Sequence, residues 1–250
     1  VPTLEVDSPA TRLNSVAAVA ASRLSELMAP GKTLGVAWGN TVSAVINHIA
    51  PHSMPGSTVV QLNGAANAFD SGTLYSDSII STLAKAYDSS AVHFPVPAFF
   101  DYVETKNALV RERSIRRVLD VIDSCDLVVF GVGAMDPAMP SHVYAGGYLS
   151  STELKEARED GVVGDICTVL IREDGTTDMP LNARASGPLP AQLKRISTRL
   201  CVVAGSAKVP ALLGALRAGV VTDLIIDSSA ARALVHRRRE VGRGDLPGTL

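Results

Sequence analysis

The chain has 250 residues, of which 46% are hydrophobic, 19% charged and only 4% aromatic, with a formal net charge of −2. Such values suit a globular domain with an aliphatic core, and a near-neutral balance gives no field to hold a phosphate backbone, which excludes a bulk electrostatic case for nucleic-acid binding by this chain. No apolar run approaches the roughly 18 residues needed to span a bilayer, and no signal-peptide pattern opens the sequence, so a cytoplasmic protein without a membrane partner is expected.

Taken in order, the Ala-rich stretch from Pro9 to Met28 reads as a helix ended by Pro30-Gly31. Strands are predicted at Thr33 to Trp38 and Thr58 to Leu62, a helix at Leu74 to Tyr87, and a strand at Val92 to Val96. From Val103 to Cys125 a single helix is expected, because Ile115, Val118, Leu119 and Ile122 fall on one face while Arg113, Arg116, Arg117 and Asp120 fall on the other. A strand follows at Leu127 to Val132, then a loop-rich region from Asp136 to Asp160, then one strand from Gly164 to Ile171. Glu173-Asp174-Gly175 reads as a tight turn, taken as a hairpin that interrupts the parallel order. Strands at Leu200 to Ala204 and Asp223 to Asp227 flank a helix at Pro210 to Ala218, and Arg237, Arg238 and Arg239 read as a solvated helix end. Cys125, Cys167 and Cys201 sit in or beside apolar runs without zinc-ligand spacing, so buried reduced thiols are expected and neither a metal nor a cofactor is called for. Continuous Val/Ile/Leu strands alternating with helices give an α/β fold, a doubly wound, mostly parallel sheet, in one domain over residues 1–250.

In such sheets ligands gather at the carboxyl ends of the strands. Four strand ends here carry small or polar residues: Trp38-Gly39-Asn40-Thr41, Gln61-Leu62-Asn63-Gly64-Ala65, Gly131-Val132-Gly133-Ala134 and Gly205-Ser206-Ala207-Lys208. The first passes straight into a helix, so the N–H groups of Asn40, Thr41 and Val42 can face an anion. Lys208 brings a cation to a glycine turn, with Pro210 near the first turn of the next helix. Neither the Walker pattern nor the dinucleotide fingerprint is present. Asp101, Asp136 and Asp165 could accept sugar hydroxyls or simply cap turns; Asp165 interrupts an apolar run, so it could reach a polar pocket or serve as a structural strand-end residue. None of His48, His52, His93, His142 and His236 pairs visibly with a carboxylate, which leaves no evident catalytic residue.

Several stretches, in order, resemble the effector-binding domain of the SorC family of sugar-responsive transcriptional regulators. They are Gly35-Val36-Ala37-Trp38-Gly39-Asn40-Thr41, Val59-Val60-Gln61-Leu62-Asn63-Gly64, Tyr75-Ser76, Phe94-Pro95-Val96-Pro97 with Phe100-Asp101, Gly131-Val132-Gly133, Val163-Gly164-Asp165-Ile166-Cys167, Val203-Ala204-Gly205-Ser206-Ala207-Lys208-Val209 and Leu224-Ile225-Ile226-Asp227 with Ala230-Ala231-Arg232-Ala233-Leu234-Val235. The resemblance implies a fold similar to the glucosamine-phosphate type of sugar-phosphate isomerases and deaminases, used for sensing rather than turnover. It further implies a helix-turn-helix head, expected to be missing ahead of Val1 and to be the only route to DNA, and assembly as dimers or tetramers. Carried onto this sequence, its ligand site implies Gly39, Asn40, Thr41, Asn63, Gly64, Tyr75, Asp77, Asp165 and Lys208. Members that hold an aldehyde effector as a Schiff base carry lysine where this chain has Asn63, and others place arginine there for a second phosphate. An amide can do neither, so the expected effector is a monophosphorylated or unphosphorylated sugar or polyol, bound non-covalently. The alternatives are a sugar-phosphate isomerase or deaminase of the same fold, and an assembly module with a vestigial pocket.

Overall fold

Ser8 starts the first helix: its Oγ accepts from the Thr11 amide at 3.1 Å, and Pro9 takes the first helical position. The computed structural model describes residues 1–4, 6–65, 72–135 and 141–244, with side chains throughout these except at 72–75, 142 and 238–244. In chain order the elements are α1 (Pro9–Leu27), β1 (Thr33–Val36), α2 (Asn40–Ile46), β2 (Thr58–Gln61), α3 (Gly72–Tyr87), β3 (Ser90–Val92), α4 (Val103–Leu109) and α5 (Arg113–Asp123). There follow β4 (Leu127–Phe130), β5 (Gly133–Ala134), α6 (His142–Ala145), α7 (Ser151–Glu159), β6 (Val162–Ile166), β7 (Val169–Arg172), α8 (Pro190–Leu193), β8 (Thr198–Val203), α9 (Val209–Arg217), β9 (Asp223–Ile226) and α10 (Ser228–Gly244).

Six strands form one sheet in the order β3-β2-β1-β4-β8-β9, every pair parallel. Successive side chains on a strand face opposite sides, so a strand covered on both faces must be apolar at every position. Leu34, Val36, Val59, Leu127, Val129, Leu200 and Val202 share one core with Val16, Ala20 and Leu24 of α1. Their neighbours Val60, Val128, Phe130, Cys201 and Val203 join a second core with Ile115 and Ile122 of α5 and Leu212 of α9. The chain winds from β1 outward to β3, then returns to add β4, β8 and β9 on the other side, so the order reverses between β1 and β4. A small antiparallel sheet, β5-β6-β7, stands at that carboxyl rim.

Four local expectations change. The segment from Val103 to Cys125 is two helices, because the apolar periodicity begins only at Ile115 and α4 buries no residue. The loop-rich stretch from Asp136 to Asp160 contains α6 and α7; the latter opens with a reciprocal capping box between Ser150 and Glu153, a Ser-x-x-Glu signal present in the sequence. The single strand from Gly164 to Ile171 is a hairpin turning at Cys167 and Thr168, both at positive φ (50° and 70°), as a two-residue primed turn requires. At Glu173-Asp174-Gly175 there is a turn, with Gly175 N–H donating to Arg172 O at 3.0 Å, but no strand pairs across it among the described residues. Among the described residues no helix is long and apolar enough to cross a membrane.

Candidate functional site

The strand ends at the carboxyl rim surround a cavity of about 460 Å³ whose walls come from α1, the β1–α2 junction, Asn63 after β2, the β4–β5 link, the β6–β7 hairpin and the β8–α9 turn. Trp38 ties the first two strand ends together: its indole N–H donates to the carbonyls of Asn63 at 3.2 Å and Gly64 at 2.9 Å. Asn63 is 1% exposed, and its Oδ1 has no hydrogen-bond partner among the described residues.

The β8–α9 turn forms the cationic wall. Gly205 adopts φ 94° and ψ 141°, a region only glycine enters cheaply, and a short 3-10 turn over Ser206–Lys208 leads into α9. The Lys208 ammonium donates to Thr41 Oγ1 at 3.0 Å, crossing from β8 to the first turn of α2. Burial lowers the Lys208 pKa, opposed by the negative charge of Asp165. Behind the turn, Asp227 is fully buried and accepts from the N–H groups of Gly205 (2.6 Å), Ser229 (2.9 Å) and Ala230 (3.0 Å) and from the Ser229 hydroxyl. Burial opposes its charge, yet these donors win and hold its pKa below the ordinary value. From α1, Arg12 reaches the same corner: its Nε lies 3.8 Å from Asp227 Oδ1 without a hydrogen-bond partner, and an Nη donates to the Asp7 carbonyl at 3.3 Å.

The small sheet supplies the neighbouring wall, packed against the Ser206–Lys208 turn and α9. Asp165 is 4% exposed; its Oδ2 accepts from the Thr168 amide at 3.0 Å across the hairpin turn, and its Oδ1 has no hydrogen-bond partner. Burial pushes its pKa up to about 6, against the pull of Tyr144, the Thr168 amide and the Lys208 charge. The Tyr144 hydroxyl is near enough to act on Asp165, but makes no hydrogen bond of good geometry. Asp165 is held there by close packing: a Cβ on Gly133 would come within 1.8 Å of Asp165 Oδ1, and one on Gly164 within 2.0 Å of the Gly133 carbonyl. Cys167 also lines the cavity, and burial pushes its thiol up, away from a reactive thiolate.

Gly39, Asn40, Thr41, Asn63, Asp165 and Lys208 therefore share one cavity. Gly64 and Asp77 do not line it. Gly64 faces the segment after β3, where an added Cβ would sit 2.2 Å from the Val96 carbonyl, and its amide donates to Ser186 Oγ at 3.0 Å. Asp77 lies on α3 with Oδ1 3.0 Å from His93 Nδ1, at the β3 side of the sheet. The side chain of Tyr75 and all of Asp136 lie outside the described residues, and Asp101 is exposed away from the cavity. Sequence reasoning missed Arg12, Asp227 and Thr168. An Asp-Ser-Ser-Ala start to α10 could have marked Asp227 as a cap; a lone arginine in an Ala-rich helix and a threonine inside an apolar run carry no such signal.

Five buried side-chain polar atoms among the described residues lack a hydrogen-bond partner, and three of them, Arg12 Nε, Asn63 Oδ1 and Asp165 Oδ1, belong to cavity-lining residues. Leaving such an atom unsatisfied costs about 1–3 kcal/mol, so their convergence marks a surface suited to a polar ligand. The lining combines cationic donors (Arg12, Lys208), acceptors (Asn63, Asp165) and the apolar Ala37, Trp38, Val132 and Val143. This pattern fits a small molecule with an anionic end, several hydroxyls and one apolar face. No histidine is among the lining residues described.

Comparison with known proteins supplies a family. The profile of the family described as "Putative sugar-binding domain" matches residues 1–236. The chain is 30% identical over 218 residues to the deoxyribonucleoside regulator of Bacillus subtilis (strain 168), covering 86% of this chain and 68% of that protein. It is 32% identical over 217 residues to an uncharacterized transcriptional regulator of Escherichia coli (strain K12), covering 85% and 64%. The chain thus spans about two thirds of the length of these relatives. A crystal structure of a domain of a possible sugar-binding transcriptional regulator from Arthrobacter aurescens TC1 superposes with a TM-score of 0.89 at 45% identity, covering 94% of this chain and 90% of that one.

Proposed function

The chain belongs to the sugar-binding domain family of transcriptional regulators, and from that premise we propose that it senses a phosphorylated sugar, held non-covalently, and passes the occupancy of its cavity to a DNA-binding part elsewhere in the protein. The observation that carries the reading is the convergence of Lys208 with the unpartnered Asn63 Oδ1 and Asp165 Oδ1 in one cavity at the switch point of the parallel sheet. Lys208 and the glycine turns at Gly205 and Gly39 take the phosphate; Asn63, Thr41 and Asp165 read hydroxyls; Trp38 and Val143 cover an apolar face. Asn63 has no amine for a Schiff base and no charge for a second phosphate, which favours one phosphate and reversible binding. Ligand binding shifts an existing equilibrium between arrangements of the cavity walls or of subunits in a cytoplasmic homo-oligomer, a dimer or tetramer.

A thermal-shift and calorimetric panel of phosphorylated pentoses, hexoses and polyols against their unphosphorylated forms tests the reading. We expect at least one phosphorylated member to bind, and Lys208→Ala to weaken it more than tenfold. Equal affinity for both forms removes the phosphate from the reading, and unchanged affinity in the variant removes Lys208. A buried carboxylate with a pKa near 6 would also suit the base of an isomerase. Against that reading stand the absence of a histidine among the described lining residues and the high thiol pKa of Cys167; turnover of the same panel by the purified protein would revive it.

A further inference from the structure

Arg12 stands apart from the other polar residues of the cavity because it comes from α1, while it faces the β9–α10 corner that backs the β8–α9 turn. Its guanidinium spans two partners without fully engaging either. The Nε lies 3.8 Å from Asp227 Oδ1, beyond hydrogen-bond reach, and the Nη2 contact to the Asp7 carbonyl is long at 3.3 Å. Arg12 side-chain exposure is 16%, and Nε is buried without a hydrogen-bond partner. Asp227 is committed elsewhere, since four donors from Gly205, Ser229 and Ala230 already use its oxygens.

This arrangement creates an electrostatic difficulty that Arg12 can resolve. An anion at the Gly205–Lys208 turn sits one hydrogen bond away from the Asp227 carboxylate, which takes the Gly205 amide for itself. Two like charges separated by one backbone group repel, and the Lys208 ammonium is already drawn toward Thr41 and Asp165. A planar fork of donors between the two anions offsets the repulsion and can bond both. The same corner also holds the segment ahead of α1, where Thr3 exchanges hydrogen bonds with Ser228 at 3.0–3.2 Å.

We propose that Arg12 bridges the bound anion to Asp227, so that filling the cavity clamps the first turns of α1 onto the β9–α10 corner. This rests on the effector reading above and adds the route by which occupancy is felt outside the cavity. It makes Arg12 a coupling residue as well as a ligand contact, and a lysine in its place would restore charge without the fork.

Amide hydrogen exchange of the 250-residue chain, with inorganic phosphate or sodium chloride at matched ionic strength, tests the clamp. The tightest phosphosugar from the binding panel serves as a second probe, and calorimetry measures affinity in parallel. In the unsubstituted protein, saturating probe should slow exchange over residues 9–16 at least fivefold. Arg12→Ala should bind threefold to tenfold more weakly and, at saturation, lose that slowing; Arg12→Lys should regain affinity but not the slowing. Equal protection in Arg12→Ala and the unsubstituted protein, or binding without any protection, overturns the clamp and leaves the effector reading intact. Absence of binding by phosphate and by every phosphosugar overturns both.

Discussion

Asp227 and Asp165 are both buried, both beside the cavity and both linked to its backbone turns, yet their surroundings differ in kind. Asp227 gathers four hydrogen-bond donors across the β9–α10 corner, and its pKa is held down. Asp165, in the β6–β7 hairpin, receives one backbone amide, keeps one oxygen unpartnered and has its pKa pushed up to about 6. A carboxylate saturated by its own chain is a structural bolt. One left half-satisfied inside a cavity carries a cost that a ligand can remove, and that is how the two walls can be told apart.

Substitution of each aspartate should expose the contrast, and the largest effect belongs to the bolt. Asp227→Ala orphans the Gly205, Ser229 and Ala230 donors together, so we expect a loss of about 3–5 kcal/mol in urea unfolding, with cavity binding lost alongside. A loss under about 1 kcal/mol would mean that the corner holds without it. Asp165→Asn should behave oppositely. Below an unfolded value of about 3.9, Asp165 is protonated in both states and burial costs nothing; above it the unfolded chain ionises while the folded chain keeps its proton, until the buried carboxyl also ionises near pH 6 and the loss is complete. Up to about 3 kcal/mol of stability is therefore lost between pH 4 and pH 6, and Asp165→Asn should abolish that loss, appearing more stable than the unsubstituted protein at pH 7.5 but not at pH 4. Asp227 contributes in the other direction, with stability present at neutral pH and lost on acidification, so stability curves for both variants from pH 4 to 7.5 separate the two.

The smallest effect is at the turn that carries Asp165. Thr168 is a β-branched residue at φ 70°, a conformation that costs an L-residue about 1–2 kcal/mol. Thr168→Gly relieves that strain while adding chain entropy to the unfolded state, so stability should change by less than about 1 kcal/mol by urea unfolding. A loss above about 2 kcal/mol would show that the threonine side chain, not the turn, holds the hairpin.

The same contrast explains what the sequence discloses. Uninterrupted Val/Ile/Leu strands and glycine-bearing strand ends announced the parallel sheet and its rim, because two-sided burial and tight strand-to-helix turns leave direct compositional marks. The hairpin at Cys167-Thr168 left none, since its turn uses residues that local preference would avoid and only the surrounding packing enforces. Asn63 and Lys208 are legible as candidates because they stand with glycine at predicted strand ends, and Asp165 because it interrupts an apolar run. Arg12 reaches the cavity only through the packing of α1 against the sheet, a tertiary fact invisible to spacing. Gly64 and Asp77 failed to join it because adjacent residues on a chain leaving a strand point to different sides, and because α3 leads away toward the β3 edge.

The glycine pair behind Asp165 has a consequence for descent. With less than a methyl's room at either position, the small sheet is a mould that resists recutting one residue at a time: a side chain at Gly133 displaces the Asp165 carboxylate, and one at Gly164 pushes on the Gly133 backbone beneath it. Novel chemical preferences in descendants of this protein must therefore arise on the facing surfaces, at Arg12, Asn40 and Asn63, while the glycine-backed wall passes unchanged from one preference to the next.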